Sequence, residues 1–432
     1  MSKKKIVYIG LAADILHEGH INILKTASKL GTVIVGLLTD TAIASYKKLP
    51  FLNFNQRKIV LKNIKHVDKI IPQKTLDYVE NLKIIKPNFV VHGDDWKEGI
   101  QKKTRQRVIN TLKLWGGRLI EPKYTKNISS TKIRSKIYSQ GITPQNRLSK
   151  LSRLLKVKKI VRILETHNSL TGLIVENLNY VKNSQSLEFD GMWSSSLTDS
   201  LTKGKPDNQS VDYSSRILGL NDIMDVTTKP LIFDADNGGR IEHVPYLVKT
   251  LERIGVSAMV MEDKIGEKTN SLFDDQKKTK QDSIKDFCKK LKTAKNSKIS
   301  EDFFIIARVE SFILGKSLND ALNRAINYVK AGADGILIHS KEKNPNQIFQ
   351  FAQKFSKTKY FCPLVAVPST YSKVREKELI NKGFKIVIYA NQMLRAAYPS
   401  MVNIGKAILK NGRSFEVEKK ITPIKEIINL IK

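Results

Sequence analysis

The chain has 432 residues, and its 75 Lys+Arg against 41 Asp+Glu give a formal net charge of +34. That length predicts two or three domains, or one barrel with a smaller partner. A hydrophobic share of 41% excludes a mostly disordered chain. The cysteines, Cys288 and Cys362, are too few for a disulfide framework, so a reducing cytoplasm is the expected compartment. No apolar run reaches the ~18–20 residues that span a bilayer, and the run Ile6–Ile9 is too short for a signal-peptide core. The charge is uneven: residues 1–150 hold 29 Lys+Arg and 10 Asp+Glu, a net of +19. Scattered lysines on solvated helix faces account for most of it, and attraction of anionic small molecules for the remainder.

The first segment alternates strand-like and helical runs. Ile6–Gly10, Thr32–Leu38, Lys69–Pro72, Phe89–His92 and Arg118–Glu121 read as strands, with helical spacing at Ile21–Leu30, Arg57–Ile64 and Arg105–Trp115. This predicts an open, Rossmann-like parallel sheet. The Pro/Gly-containing stretch 137–150 marks a junction, placing one domain at 1–140 and a second at 141–432. A basic amphipathic helix is predicted at Leu148–Leu164. Strands then follow at Thr171–Glu176, Phe189–Trp193, Leu231–Ala235, Ala258–Glu262, Phe304–Val309, Gly335–Ile338, Leu364–Val367 and Ile386–Tyr389. Repeated βα units over that length predict a (β/α)8 barrel.

After the first strand comes Asp14-Ile15-Leu16-His17-Glu18-Gly19-His20. A strand-to-helix turn offers backbone N–H groups and a positive dipole end to phosphates. The imidazoles of His17 and His20 can donate to an α-phosphate as charge builds, and Gly19 lets the backbone approach. A metal pair or two capping histidines are the competing readings. The run Ser129-Ser130-Thr131, some 110 residues later, offers hydroxyls and amides at a helix start. Together these motifs resemble the cytidylyltransferase family over about residues 4–136. Asp14, His17, Gly19 and His20 match its first motif, although Leu11 stands at its glycine and Gly10 lies one residue early. Ile128-Ser129-Ser130-Thr131-Lys132-Ile133 matches its second, with Tyr124 and Asn127 where the family has Arg and Gly. Gln56-Arg57 and Gly93-Asp94-Asp95-Trp96 match elements near nucleotide and acceptor. The resemblance implies CTP as nucleotide, with Arg57, Asp95, Ser129, Ser130 and Thr131 among its contacts.

In the second segment, acidic residues end successive strands: Asp234-Ala235-Asp236, then Glu262-Asp263-Lys264, with Asp207 in the preceding loop. Carboxylates converging on a barrel mouth suit Mg²⁺. Arg308 and His339 end later strands, and the polar stretch 264–274 with Gly266 reads as a movable lid. The set resembles phosphoenolpyruvate mutase of the isocitrate lyase superfamily over about residues 147–400. Trp193-Ser194-Ser195-Ser196-Leu197 stands for the family's W-G-S-G-L, with serine at both glycines. Asp207, Asp234-Ala235-Asp236, the series Glu262, Asp263, Lys264, Lys268, Asn270 and Ser271, Arg308-Val309-Glu310 and His339-Ser340-Lys341 complete the match.

The resemblance implies interconversion of phosphoenolpyruvate and phosphonopyruvate. Asp234, Asp236 and Glu262 would hold Mg²⁺. Ser195, Ser196 and Leu197 would bind the carboxylate, Lys268, Asn270, Ser271 and Arg308 the phosphoryl group, and Trp193 and His339 would line the site. Asp207 would stand at the reacting centre. The lid lacks the cysteine of the superfamily's lyases, and Asn270-Ser271 favours mutase over phosphonopyruvate hydrolase. The first domain would then join CMP to a phosphonate, 2-aminoethylphosphonate first and 2-hydroxyethylphosphonate next. The expected partners are these small molecules and further copies of the chain, with neither membrane nor nucleic acid. A hydrolase-type barrel, a mutase with an inactive first domain, and a basic scaffold or nucleic-acid-binding protein are the alternatives. Aromatics at 7% count against the last.

Overall fold

The computed structural model describes residues 4–46, 49–97, 101–123, 125, 130, 133, 143–182, 185–271 and 279–430. The chain forms two compact units: Met1–Gln140 with Asn179–Leu187, and Gly141–Leu178 with Glu188–Lys432.

The first unit is built on five parallel strands, β1 (Ile6–Leu11), β2 (Thr32–Leu38), β3 (Lys69–Gln73), β4 (Phe89–Val91) and β5 (Arg118–Ile120), in the order β3-β2-β1-β4-β5. Both faces of β1 and β2 are covered, which is why these strands read as continuous apolar runs rather than alternating ones. Val7, Ile9, Val33, Val35 and Leu37 fill one side, and Tyr8 with Tyr78 and Trp96 the other. Tyr8 is buried among apolar neighbours, yet its hydroxyl donates to Gln73 Oε1 at 2.6 Å and accepts from Asn81 Nδ2 at 2.9 Å. The displaced Gly10 has a packing cause. A Cβ there would stand 2.3 Å from Cζ of Tyr78, whose hydroxyl donates to the Gly10 carbonyl. The strand order reverses between β1 and β4, so a crevice opens at their carboxyl ends, where open α/β sheets take their ligands.

The second unit opens with the helix Pro144–Val157, proline at its first position. Its leucines face inward, and buried Arg147 donates to the Met224 and Thr227 carbonyls at 2.8 and 2.5 Å. The predicted helix to Leu164 therefore stops early. Lys158 is extended, and Val161–Glu165 is β6. The predicted strand at Thr171–Glu176 is instead the helix Ser169–Asn177. Asn168 accepts from the Thr171 amide at 2.9 Å, and this cap wins over the β-branched run that follows. The two-stranded sheet of β7 (Asn179–Lys182) and β8 (Gln185–Glu188), which clusters with the first unit, comes before β9 (Gly191–Ser194) in the chain.

The remaining strands are β10 (Leu231–Asp234), β11 (Ala258–Glu262), the short pair β12 (Lys264–Gly266) and β13 (Thr279–Gln281), β14 (Phe304–Val309), β15 (Gly335–Ile338), β16 (Leu364–Ala366) and β17 (Phe384–Tyr389). Eight of them close a parallel barrel in the order β10-β11-β14-β15-β16-β17-β6-β9. The antiparallel pair β12–β13 forms the base of the lid, with Lys264 opposite Gln281. Phe233, Met259, Met261, Phe287 and Phe351 belong to one continuous core beneath the mouth. The long helix Gln392–Asn411 buries none of its residues.

Candidate active sites

In the first unit, His17 caps the helix Glu18–Ser28, its Nδ1 accepting from the Gly19 amide at 3.2 Å. That bond puts the proton of the neutral ring on Nε2. Burial lowers the His17 pKa, which favours this neutral form. The rings of His17 and His20 lie 4.1 Å apart. A Cβ on Gly19 would meet His17 Cε1 at 3.0 Å, so a side chain there would displace the imidazole. Asp14 is buried and accepts from the Phe51 amide at 2.6 Å, fixing the loop before the helix Phe54–Lys62. Ser130 Oγ donates to the Ile15 carbonyl at 3.2 Å, so the two motifs meet. Ser129 and Thr131 lie outside the described residues.

Arg57 departs from the expectation that it faces the nucleotide. It is fully buried, and its guanidinium donates to Asp40 Oδ1 at 2.6 Å, the Ala12 carbonyl at 2.5 Å and the Leu52 carbonyl at 3.2 Å. With these partners it braces the loop that carries Asp14. Asp95 is half-exposed, 3.8 Å from His92 Nδ1.

In the barrel, Asp207, Lys268, Asn270, Arg308, Trp193, Ser195, Ser196, Leu197, Ser271, His339, Asp234, Asp236 and Glu262 all line one cavity at the strand ends. The sheet register sets Glu262 beside Arg308, with Arg308 Nη2 3.5 Å from the carboxylate. Arg308 also donates to Glu310 Oε1 at 2.5 Å and to Ser271 Oγ at 2.9 Å. The lid reaches across the mouth. Lys268 Nζ pairs with Asp207, lies 2.6 Å from Asp236 Oδ1 and donates to Ser196 Oγ at 2.8 Å. Asn270 Nδ2 donates to Asp207 Oδ2 at 3.0 Å, and Lys264 Nζ to Ser271 Oγ at 2.8 Å. Ser196 Oγ in turn donates to Asp234 Oδ2 at 3.0 Å.

Burial pushes against every charge here, and the pairing decides which ones survive. Asp234 stays below its ordinary range because Lys268, Arg308 and Arg216 outweigh burial. Burial holds the Glu262 carboxyl up at about 7, with Lys264 and Arg308 offsetting only part. Burial and then Arg308 hold the His339 imidazole below its ordinary range, with Glu310 opposing them. Asp236 adopts φ +47, a left-handed conformation that costs a non-glycine residue of order 1–3 kcal/mol. Its carbonyl accepts from the Glu262 amide at 2.7 Å, which ties the two strand ends together.

Residues 151–409 match the family model described as phosphoenolpyruvate phosphomutase. The chain belongs to this family. The phosphoenolpyruvate phosphomutase of Tetrahymena pyriformis is 34% identical over 283 residues, 65% of this chain and 90% of that protein. A solved phosphonopyruvate hydrolase complexed with oxalate and Mg²⁺ superposes with a TM-score of 0.59 at 30% identity, covering 67% of this chain and 95% of its own. Residues 8–136 match a cytidylyltransferase-like model. The glycerol-3-phosphate cytidylyltransferase of Bacillus subtilis (strain 168) is 35% identical over 97 residues, 22% of this chain and 74% of that protein.

Within this mutase-type barrel, three strand-end carboxylates form a hard oxygen donor set suited to a divalent cation. The Glu262 carboxylate makes no hydrogen bond among the described residues, and its nearest cations are Arg308 at 3.5 Å and Lys264 at 3.9 Å. A raised carboxyl of this kind is one that a bound cation would bring back to its charged form. Among the described residues no three His, Cys, Asp or Glu side chains stand in a ready metal cluster. Lys268 takes the place beside Asp236.

Several residues escape the motif reading. Arg216, on the helix Tyr213–Val226, is buried and donates to Asp199 Oδ2 at 2.9 Å and to the Asp234 carbonyl at 2.5 Å. A single arginine in a helix carries no sequence signal of that role. Asn391, after β17, lines the cavity from a strand without a family motif. In the first unit His92 stacks on Trp96 at 3.9 Å, and Trp96 Nε1 donates to Glu121 at 2.7 Å. His92 directly precedes Gly93-Asp94-Asp95-Trp96, so its signal was present.

Proposed function

We propose that the barrel interconverts phosphoenolpyruvate and phosphonopyruvate. The C3–P bond breaks as its electron pair forms the enolate, and the enolate oxygen then bonds to phosphorus. Arg308, Lys268, Asn270 and Ser271 hold the phosphoryl group, whose charge spreads as it loosens. Ser195, Ser196 and Leu197 hold the carboxylate, and Asp207 stands at the reacting centre. Asp234, Asp236 and Glu262 would hold Mg²⁺, which would supply positive charge to stabilise the enolate. The observation that carries this reading is the lid contact, in which Lys268 and Asn270 both reach Asp207 while Ser271 reaches Arg308. A lid already engaged with the reacting residues favours transfer over hydrolysis, because it keeps water away from a loose phosphoryl group.

The first unit, on this reading, joins CMP from CTP to a phosphonate and releases pyrophosphate. 2-Aminoethylphosphonate is the first acceptor to try and 2-hydroxyethylphosphonate the second. The neutral His17 with its Nε2 proton and the charge of +19 on residues 1–150 support an anionic nucleotide. The exposed apolar side chains Tyr398, Met401 and Leu409 on a helix with no buried residue support assembly with further copies. The free cysteines Cys288 and Cys362 support a cytoplasmic setting, and among the described residues no helix is long and apolar enough to cross a membrane. The test is ³¹P NMR of the full chain with CTP, Mg²⁺ and a panel of phosphonates. Pyrophosphate and a CMP-phosphonate are expected, and no pyrophosphate with any acceptor would leave the first unit inactive.

A further inference from the structure

Asn391 occupies the N-cap position of the helix Gln392–Asn411, where asparagine usually accepts a hydrogen bond from the helix. It makes no such bond. The amides of Met393 and Leu394 are accepted instead by Glu165 Oε2, at 3.1 and 3.4 Å, from the end of β6. Glu165 is fully buried, so the cap is supplied from inside the barrel. This frees the Asn391 side chain, which is 6% exposed and lines the cavity. Its Oδ1 is buried with no hydrogen-bond partner among the described residues. A buried amide that its own chain leaves unsatisfied calls for a functional explanation, and a half-turn about its last torsion exchanges the oxygen for the N–H₂ group at the same spot, where it can meet a ligand acceptor.

The position fits such a ligand. In the barrel order β17 stands four strands from β11 in either direction, so Asn391 faces Glu262 across the mouth. Its neighbours on the cavity wall, Val367, Ser369 and Ala390, carry no charge. An uncharged amide on this wall can hydrogen-bond to an anion without adding charge to the cavity.

We infer that Asn391 is a specificity-determining residue that donates an N–H to an oxygen of the bound small oxo-acid anion. Carboxylate and phosphonate oxygens are acceptors only, so the carboxamide turns its N–H₂ toward them and leaves its oxygen to water. This inference rests on the cavity being an oxo-acid site, as proposed above. An aspartate here would replace the donors with a negative charge in the same shape. A leucine would keep the volume and remove all polarity.

The test uses the full chain with Mg²⁺ and oxalate as the probe, by titration calorimetry on wild type, Asn391→Asp and Asn391→Leu. A melt of each protein without ligand and phosphonopyruvate kinetics accompany it. Oxalate affinity is expected to fall at least about tenfold in Asn391→Asp and about three- to tenfold in Asn391→Leu, the scale of one lost hydrogen bond. KM for phosphonopyruvate is expected to rise in step, with kcat within about twofold. The ligand-free melting temperature of Asn391→Leu is expected to stay level or rise, because no internal bond is lost. Unchanged oxalate affinity in both variants overturns the inference. So does a wild type that binds no oxalate, or a ligand-free Asn391→Leu that melts well below wild type. A wild type that binds oxalate but leaves phosphonopyruvate untouched sinks the mutase reading alone, and the variant ratios still decide Asn391.

Discussion

In the barrel, the groups that face the cavity arrive as opposite charges already paired: Arg308 with Glu310, and Lys268 with Asp207 and Asp236. In the first unit, the groups are neutral: the His17 imidazole, in the turn after β1 at a helix start, and the Ser130 hydroxyl, which donates to the Ile15 carbonyl of that turn. The one arginine expected to add charge there, Arg57, is spent on Asp40. On the proposed reading, the two sites would hold anionic ligands by different physics. Removing one member of a buried charge pair leaves its partner uncompensated, which is costly. Removing one neutral donor from a phosphate-binding turn takes away a single contact and leaves the fold intact.

That contrast can be broken at the turn. His17→Ala is expected to lower CMP transfer by about 10²–10³, the usual loss for one donor to a developing charge, with phosphonopyruvate turnover unchanged. A steady-state assay of both reactions on the same preparation checks it. Equal loss of both activities would mean that His17 supports folding rather than chemistry.

A smaller effect sharpens the comparison through stability. Hydrogen bonds from Arg105, then from Trp96, hold the Glu121 carboxyl down at about 2, against an ordinary value of 4.5. A depressed carboxyl stabilises the fold above the unfolded value and loses that contribution as the pH falls from 4.5 towards 2. Calorimetric melts should show the first unit weakening across that acid window. Glu121→Gln should be less stable at neutral pH and show a shallower acid slope, and an unaltered slope would contradict the assignment.

The barrel was legible because its strands are buried on both faces. Leu231–Asp234 and Ala258–Glu262 read as apolar runs that stop on an acid, and a strand that ends on a charge in a parallel barrel ends at the mouth. The first barrel strand was not legible. Val161–Glu165 carries Arg162 at its second position and continues the spacing of the helix before it. Meanwhile Thr171–Glu176 has strand-like residues that the Asn168 cap turns into helix. Local pattern lost to capping in one place and to sheet pairing with β17 and β9 in the other. The same limit applies to the sites. Motifs named the cavity residues of the barrel, because each motif sits on one strand end or on the lid. They could not show that Arg57 would meet Asp40 across 17 positions, or that Glu165 would take over the capping of a helix that starts 227 residues later and release Asn391. Those roles come from tertiary pairing, which leaves no mark in a short window.

The central claim is that the barrel moves a phosphoryl group between oxygen and carbon with Asp207 at the reacting centre. It is tested most directly by following phosphonopyruvate in the presence of Mg²⁺ by ³¹P NMR, with wild type and Asp207→Ala side by side. Wild type should convert the phosphonate resonance into that of phosphoenolpyruvate without releasing inorganic phosphate, and Asp207→Ala should leave it unchanged while still transferring CMP. Inorganic phosphate as the main product of wild type, or near-normal conversion by Asp207→Ala, would contradict the account.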